Sequence, residues 1–185
     1  KKYGEIKKLS AAFAFEAPKK NWWRLDKKYA GGGPLMDLGV YCLQGVIYTT
    51  GMLPVAVTAQ SPPVSNKEVF IDVEETLTWQ MEMPNGAIAE CRTSYSGEYQ
   101  NLLRAEAENG WFELNPAFSY GGIKGTTSDG KKINFPKLSQ QAKQMDGIAV
   151  SIKNNQESIV PGEMGRRDMK IIEAIYKAMN TGERV

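Results

Sequence analysis

The order of the predicted elements indicates an α+β fold, an open and mainly antiparallel β-sheet with helices on one face. Strand patterns follow one another from Pro54 to about Trp111 with short turns between them, which favours antiparallel neighbours. One helix pattern precedes this run and two follow it. No strand–helix–strand unit is repeated in the sequence, so a doubly wound parallel sheet is excluded.

The first strand and the first helix have clear sequence signals. Residues 6–16 predict a strand, because apolar side chains recur at every second position, namely Leu9, Ala11, Phe13 and Phe15. After a polar loop, three glycines introduce a helix that begins at Pro34 and ends at about Thr50, just before Gly51. Between Leu38 and Asn66 there is no charged residue, so we expect this helix to be buried nearly all round.

The rest of the chain predicts strands and then two helices. The strand patterns cover residues 55–60, 69–73, 75–83, 87–95, about 100–107 and 111–114. Pro84-Asn85-Gly86 predicts a hairpin turn, because Asn-Gly accepts the positive φ angles of tight turns. Residues 116–137 predict a glycine-rich excursion with a small hairpin at Asp129-Gly130. The two helices cover about 139–153 and 163–180, and Gly182 ends the second.

Length and composition exclude several classes of function. The 185 residues suit a single domain, 1–185. Twenty-three basic and 21 acidic residues give a net charge of +2, so neither nucleic acid nor an anionic membrane is predicted as a partner. No apolar run approaches the roughly 18 residues of a membrane span. No signal peptide is visible, and the compartment, cytoplasmic or periplasmic, stays open.

The absence of histidine excludes much of the usual catalytic chemistry. A Ser-His-Asp or Cys-His system, a histidine general base and an imidazole zinc site are all impossible. Cys42 and Cys91 cannot form a four-cysteine cluster, and we expect two reduced, buried thiols. No metal site is therefore predicted.

The glycine cluster before the first helix is not a nucleotide-binding loop. A dinucleotide fingerprint needs a buried strand and then G-x-G-x-x-G, but the third position after Gly33 is Met36 and the residues before the cluster are polar. Three glycines in a row lower the stability of a helix start, and they are best explained by close approach of the backbone to a neighbour. A bound cofactor is one candidate for the neighbour of Gly32 and Gly33.

The start of the first helix carries the residues best suited to chemistry. Asp37 lies in its first turn, where an ionised carboxylate is favoured, and Tyr41 lies four residues later on the same face. A tyrosine hydroxyl can donate or accept a proton. Gln44 and Tyr48 continue that face. The alternative is structural: Asp37 satisfies the helix end and Tyr41 is a core aromatic residue with a polar tip.

Three other groups of residues have weaker signals. Trp22, Trp23 and Arg24 either line a pocket for a polyol or sugar ring or anchor the loop that contains them. The solvated face of the last helix is predicted to consist of Glu163, Arg166, Arg167 and Asp168. Cross-strand charge pairs on the outer face of the sheet are predicted among Glu90, Arg92, Arg104 and Glu106. Together with Thr78 and Gln80, that face is a candidate surface for a homo-oligomer.

Three stretches of the sequence resemble a known family. They are GGGPLMDLGVYCLQG, TLTWQMEMPNGAIAECRTSYS and VPGEMGRRDMKIIEAIYKAMNTGERV. Together they resemble the C-terminal domain of the glucose–fructose oxidoreductase branch of the Gfo/Idh/MocA dehydrogenase family, and the likeness spans nearly the whole chain. Many relatives have histidine where this sequence has Tyr41.

The resemblance implies a two-domain oxidoreductase that uses NADP or NAD, of which this chain is the C-terminal half. It implies that Tyr41 exchanges a proton with the hydroxyl or carbonyl of a sugar or polyol and that Asp37 orients the substrate. We also expect Trp23, Arg24 and Gln44 to contact the substrate. The resemblance places the Rossmann domain and a catalytic lysine in a Glu-Lys-Pro motif outside this chain, so the chain alone is predicted to be inactive.

Two hypotheses from different classes therefore remain. The first is the substrate domain of a sugar or polyol oxidoreductase. The second is a non-catalytic binding or oligomerisation module that keeps the fold. Retention of both Asp37 and Tyr41 favours the first, because a binding module does not need this pair.

Overall fold

The computed structural model describes residues 2–18 and 22–185. The strands are β1 (Ile6–Ala14), β2 (Ala56–Gln60), β3 (Thr76–Glu82), β4 (Ile88–Ser94), β5 (Gln100–Ala107), β6 (Gly110–Leu114), β7 (Ile123–Thr127) and β8 (Lys132–Phe135). The helices are α1 (Lys27–Ala30), α2 (Val40–Thr50), α3 (Gln140–Lys153) and α4 (Gly162–Thr181). A 3₁₀ turn covers Trp23–Leu25 and a π-helical turn covers Leu35–Gly39.

The eight strands form one open sheet in the order β2-β3-β4-β1-β5-β6-β7-β8. Strand β1 pairs in parallel with β4, and the other neighbouring pairs are antiparallel. The predicted α+β fold with a mainly antiparallel sheet is therefore confirmed. The first strand of the chain lies in the middle of the sheet, between β4 and β5.

Helices α2 and α4 cover one face of this sheet and form the main core with it. Leu43 and Val46 of α2 and Ile175 of α4 are fully buried there, as is Leu77 on β3. The strand predicted over 75–83 is confirmed by β3, and Trp79, Met81 and Met83 are buried as well. Cys42 and Cys91 are buried and free, as expected.

The turn predictions hold, but one predicted strand is wrong. Gly86 in the hairpin turn has a φ of +82°, and Gly182 after α4 has a φ of +72°. Residues 69–73 form a turn instead of a strand, because the Asn66 side chain and carbonyl accept the backbone N–H groups of Val69 and Phe70. Val69, Phe70 and Val73 pack in a second, smaller core with Tyr95, whereas Ile71 is exposed. The apolar residues of this segment therefore anchor a loop to the second core.

The helix predicted from Pro34 to Thr50 is confirmed in extent, but its first turn is wider than an α-helix. Leu35–Gly39 is π-helical and continues directly into α2. Single π-helical turns inside α-helices occur frequently at functional sites. In the part of the chain that the structure describes, no helix has the length and apolar character needed to span a membrane.

Candidate functional site

The carboxylate of Glu74 fixes the start of the π-helical turn. Glu74 Oε2 accepts the backbone N–H of Gly33 at 2.9 Å, and Oε1 accepts that of Leu35 at 3.1 Å. The hydroxyl of Tyr176 on α4 donates to Glu74 Oε1 at 3.0 Å. Free N–H groups at a helix start need such acceptors. One side chain from the loop before β3 therefore sets the position of the helix that carries Asp37 and Tyr41.

The same contacts explain the glycines. A Cβ at Gly33 would lie 2.2 Å from the backbone oxygen of Glu74, and a Cβ at Gly32 would lie 2.0 Å from the Tyr176 hydroxyl. Both glycines are buried. The close approach expected from the sequence is thus made to this chain's own residues, while contact with a cofactor stays a prediction.

Both carboxylate oxygens of Asp37 are engaged by side chains. Arg24 Nε donates to Oδ1 at 2.9 Å, and the hydroxyl of Tyr95 donates to Oδ2 at 3.2 Å. Tyr95 is buried, whereas the Arg24 and Asp37 side chains are 32% and 24% exposed. The carboxylate thus bonds to side chains of two other segments, so capping of the helix is not its only role. It lies at the border between the second core and solvent.

The loop residues before α1 pack around Arg24. Its guanidinium lies over the ring of Trp23, with 4.4 Å between the guanidinium carbon and the ring centroid, and 5.3 Å from that of Trp22. Trp22 in turn packs edge-on against Tyr95. Trp23 is 54% exposed, so one large aromatic side chain remains open to solvent beside the Arg24–Asp37 pair. Trp22 therefore anchors the loop, whereas Trp23 presents an exposed aromatic ring.

Tyr41 is held by aromatic neighbours and presents its hydroxyl to a second tyrosine. Its ring packs edge-on against Phe13 at 5.5 Å and lies 6.1 Å from Phe118, measured between centroids. Its hydroxyl oxygen is 3.3 Å from that of Tyr120, a 54% exposed residue in the loop between β6 and β7. Sequence reasoning missed Tyr120, because nothing in the spacing connects the glycine-rich excursion to the helix.

The surroundings of Tyr41 keep its proton bound. The hydrogen bond with Tyr120, partial burial and the negative charge of Asp37 raise the pKa of Tyr41 to about 12, although the positive charge of Arg24 acts in the opposite direction. The hydroxyl is therefore protonated near neutral pH and can donate a proton. Action as a base would require further positive charge close to it.

The buried tyrosines predict a loss of stability at alkaline pH. Burial raises the pKa of Tyr95, as does the charge of Asp37, and that of Tyr41 is about 12. An unfolded tyrosine ionises at about pH 10, so the unfolded state releases protons first. The stability that the neutral tyrosines contribute is present below about pH 10 and decreases as pH rises through the folded-state values.

Urea unfolding followed by circular dichroism at several pH values above about 9 measures this decrease. The Tyr41→Phe variant should lose less stability between about pH 10 and 12 than the parent chain. Equal losses in the two proteins would contradict the assigned pKa of Tyr41.

Gln44 lies one turn after Tyr41 but its amide bonds to α4. Gln44 Nε2 donates to Asp168 Oδ2, while Arg167 donates to Asp168 Oδ1 at 2.9 and 2.8 Å. Asp168 is only 5% exposed, so its predicted place on a solvated face is wrong; Glu163 and Arg166 are exposed as expected. The reason is the pairing across the α2–α4 contact. Gln44 Oε1 is buried without a hydrogen-bond partner among the described residues.

Asp37 and Tyr41 are partly exposed. The structure has concavities of about 630, 190 and 210 Å³, and among the residues around Asp37 and Tyr41 it is Tyr95 that lines the third. The first lies on the outer face of the sheet, where Glu90 pairs with Lys8 at 2.8 Å and Arg92 donates to Gln100 at 2.7 Å. The pairing predicted among the four charged residues of this face is thus wrong for Glu90 and Arg92. Arg104 pairs with Glu106 at 3.0 Å, but both lie on β5, and its cross-strand partner is Glu113 on β6 at 3.2 Å.

The fold is that of the C-terminal domain of an oxidoreductase family. A sequence model described as the GFO/IDH/MocA C-terminal domain matches residues 1–113. The chain belongs to this family, which confirms the resemblance.

The relatives are sugar oxidoreductases. D-xylose 1-dehydrogenase [NADP(+)] from Haloarcula marismortui is 27% identical over 172 residues, which cover 89% of this chain and 46% of that protein. The crystal structure of aldose-aldose oxidoreductase from Caulobacter crescentus, complexed with glycerol, is 34% identical, has a TM-score of 0.90 and covers 99% of this chain and 56% of that one. A 3-ketoreductase from Actinomadura kijaniata, solved with NADP, shares the fold at 17% identity with a TM-score of 0.78, covering 95% of this chain and 55% of that one.

The chain spans about half the length of these relatives. It places a protonated tyrosine hydroxyl and a carboxylate held by two side chains one helical turn apart. Gly32 and Gly33 are packed against Tyr176 and Glu74, and contact of either glycine with a dinucleotide stays a prediction.

Proposed function

We propose that this chain is the substrate-binding half of an NAD(P)-dependent oxidoreductase acting on a sugar, a polyol or a related CH–OH or carbonyl compound. The supporting observation is the partly buried Tyr41 hydroxyl, which is protonated and lies one helical turn from the Arg24–Asp37 pair. A nucleotide-binding half, in the additional length that the relatives have, completes the protein, and the two halves together are called the whole protein.

Tyr41 exchanges the proton in this proposal. Oxidation of an alcohol requires loss of the O–H proton, and reduction of a carbonyl requires its return; when the cofactor is bound, its oxidised form accepts the hydride and its reduced form supplies it. Tyr41 gives the proton to the carbonyl oxygen in the second direction, and its raised pKa keeps the hydroxyl protonated for that step. In the first direction it needs an added cation, which the resemblance assigns to a lysine outside this chain. The chain alone is therefore proposed to be inactive.

The neighbouring residues position the substrate. Asp37, fixed by Arg24 and Tyr95, accepts a hydrogen bond from a second substrate hydroxyl, and the open ring of Trp23 packs on the apolar face of a sugar ring. Arg24 orients both. Gln44 is expected from the helical spacing to contact the substrate. Its amide nitrogen already donates to Asp168, so we assign it no substrate contact.

A substrate screen tests the function. The whole protein is incubated with aldoses and polyols and with NADP or NAD, and reduced cofactor is followed by absorbance; the 185-residue chain serves as the matched control. We expect turnover of at least one sugar by the whole protein and none by the chain alone. Binding of a sugar without turnover under either cofactor would favour a non-catalytic module instead.

We also propose that the outer face of the sheet forms a homo-oligomer. This face carries the concavity of about 630 Å³, and Thr78, Gln80, Glu90 and Arg92 line it. Helices α2 and α4 lie on the opposite face of the sheet. A two-fold interface would place this patch against itself, so its mixture of charges and amides is suited to self-complementary pairing.

Gln80→Glu should weaken such a dimer by roughly 10-fold or more, since an added carboxylate beside Glu90 meets its own copy across the interface. Light scattering over a concentration series measures the change. Gln156→Glu, the same substitution at an exposed loop position, should leave the dimer intact. A chain that stays monomeric at high concentration would contradict the proposed interface.

A further inference from the structure

Helix α3 presents an apolar stripe to solvent. Met145, Ile148 and Ile152 recur at the spacing of one helix face, and they are 70%, 37% and 75% exposed. Ala142 and Ala149 lie on the same face, and these five residues are called the α3 stripe. In the part of the chain that the structure describes, none of the 14 residues of α3 is buried.

The sequence of α3 is too weak to hold a helix without a partner. Isolated helices shorter than about 12–15 residues are marginal in water, and most helical stability in proteins comes from packing. Gly147 in the interior lowers the stability of the helix relative to alanine, and Ile148, Val150 and Ile152 are β-branched. Ser139, the N-cap residue, makes no side-chain capping bond. Burial of the α3 stripe is the remaining source of stability.

The helix begins beside the candidate site. Gln140 Nε2 donates to the carbonyl oxygen of Ser119 at 3.5 Å. Ser119 precedes Tyr120, whose hydroxyl is 3.3 Å from that of Tyr41. Any surface that covers the first turns of α3 therefore borders the hydroxyl pair.

We infer that in the whole protein the α3 stripe is the docking surface for the nucleotide-binding half. This rests on the proposed function. The chain spans 46% and 56% of two relatives, so about as much protein again has to be accommodated. A hydride donor must approach the substrate to roughly 3–3.5 Å. The half that holds it must therefore reach Tyr41, and the helix that carries the α3 stripe begins next to that point.

A second copy of this chain is the competing occupant. The homo-oligomer proposed above uses the outer face of the sheet, and the concavity there is lined by strand residues and Gly182, with no contribution from α3 among the residues that line it. The α3 stripe is apolar, whereas that face is polar and charged. The two surfaces thus differ in chemistry, which is expected when they meet different partners.

Hydrogen exchange of α3 tests the inference. Amide exchange is measured by mass spectrometry on the 185-residue chain and on the whole protein, with NADP binding titrated by fluorescence on the same samples. We expect exchange in α3 to be at least about 10-fold slower in the whole protein. Ile152→Lys should remove this protection, while Val150→Lys, on the opposite side of the helix, should retain it.

Each other outcome has one meaning. Fast exchange in both proteins, with NADP bound by the whole protein, overturns the inference and leaves the proposed function standing. Protection that appears in the 185-residue chain and disappears on dilution identifies a second copy as the occupant and also overturns it. Failure of the whole protein to bind NADP or NAD overturns the proposed function, and with it the assignment of the occupant, whatever the exchange rates are.

Discussion

Replacing Tyr41 by phenylalanine should lower the turnover of the whole protein by about 10²-fold or more, the usual contribution of a general acid or base. The substitution removes only the hydroxyl, and the ring keeps its contacts with Phe13 and Phe118. Folding should therefore be preserved, while the proton at the reacting oxygen is lost. Steady-state kinetics with the sugar found in the screen measures the effect, and kcat should fall more than KM changes.

Tyr48→Phe is the matched control for this experiment. Tyr48 lies on the same helix, two turns later, and is 66% exposed, so loss of its hydroxyl should leave kcat/KM unchanged. Tyr120→Phe should have a smaller effect than Tyr41→Phe, because Tyr120 hydrogen bonds to Tyr41 and is the more exposed of the two. Unchanged turnover in Tyr41→Phe would remove this residue from the mechanism.

Gly33→Ala should destabilise the isolated chain by about 3 kcal/mol, at the upper end of the usual cost of overpacking. The new Cβ would lie 2.2 Å from the backbone oxygen of Glu74 and 2.9 Å from its carboxylate carbon. Backbone atoms cannot move aside as a flexible side chain can. The clash also displaces the carboxylate that accepts the N–H groups of Gly33 and Leu35. The midpoint of thermal unfolding should fall by about 6–12 °C.

Gly165→Ala should have the opposite effect on the stability of the chain. Gly165 lies in α4, and an added Cβ there meets nothing within 4 Å. Alanine in an open helical position should stabilise the chain by about 0.5–1 kcal/mol. The pair also separates two interpretations of the glycines. If Gly33 were needed only for contact with a cofactor, its replacement would leave the stability of the cofactor-free chain unchanged.

Periodicity predicted the strands because one face of each strand is buried by this chain itself. The alternation around Leu77 and Trp79 and the Asn85-Gly86 turn are local signals, and they placed β3 and β4 correctly. The prediction of a strand at 69–73 was wrong. Its composition is typical of a strand, but Asn66 accepts hydrogen bonds from its backbone. A side chain that competes for backbone N–H groups cannot be weighed against strand pairing by counting apolar residues.

Only part of the candidate site was accessible to sequence reasoning. Asp37 and Tyr41 stand at helical spacing, and that pattern selected them. Tyr95 and Glu74 reach the same helix from distant strands and loops, so their contribution depends on the register of the sheet. Asp168 shows the same limit: a charged residue in a charged run was assigned to solvent, whereas Gln44 from another helix pairs with it. Contacts between remote segments leave no local pattern.

The place of β1 in the sheet has a consequence for the folding reaction. The strand at the beginning of the chain joins two groups of strands: β2, β3 and β4 on one side, and β5 to β8 on the other. Leu9 pairs with Ala89 and with Ala105, residues that are far from it in the chain. Proteins dominated by such non-local contacts fold slowly, because loop closure precedes the gain from pairing. We therefore expect the hairpins to form early and the insertion of β1 to limit the folding rate.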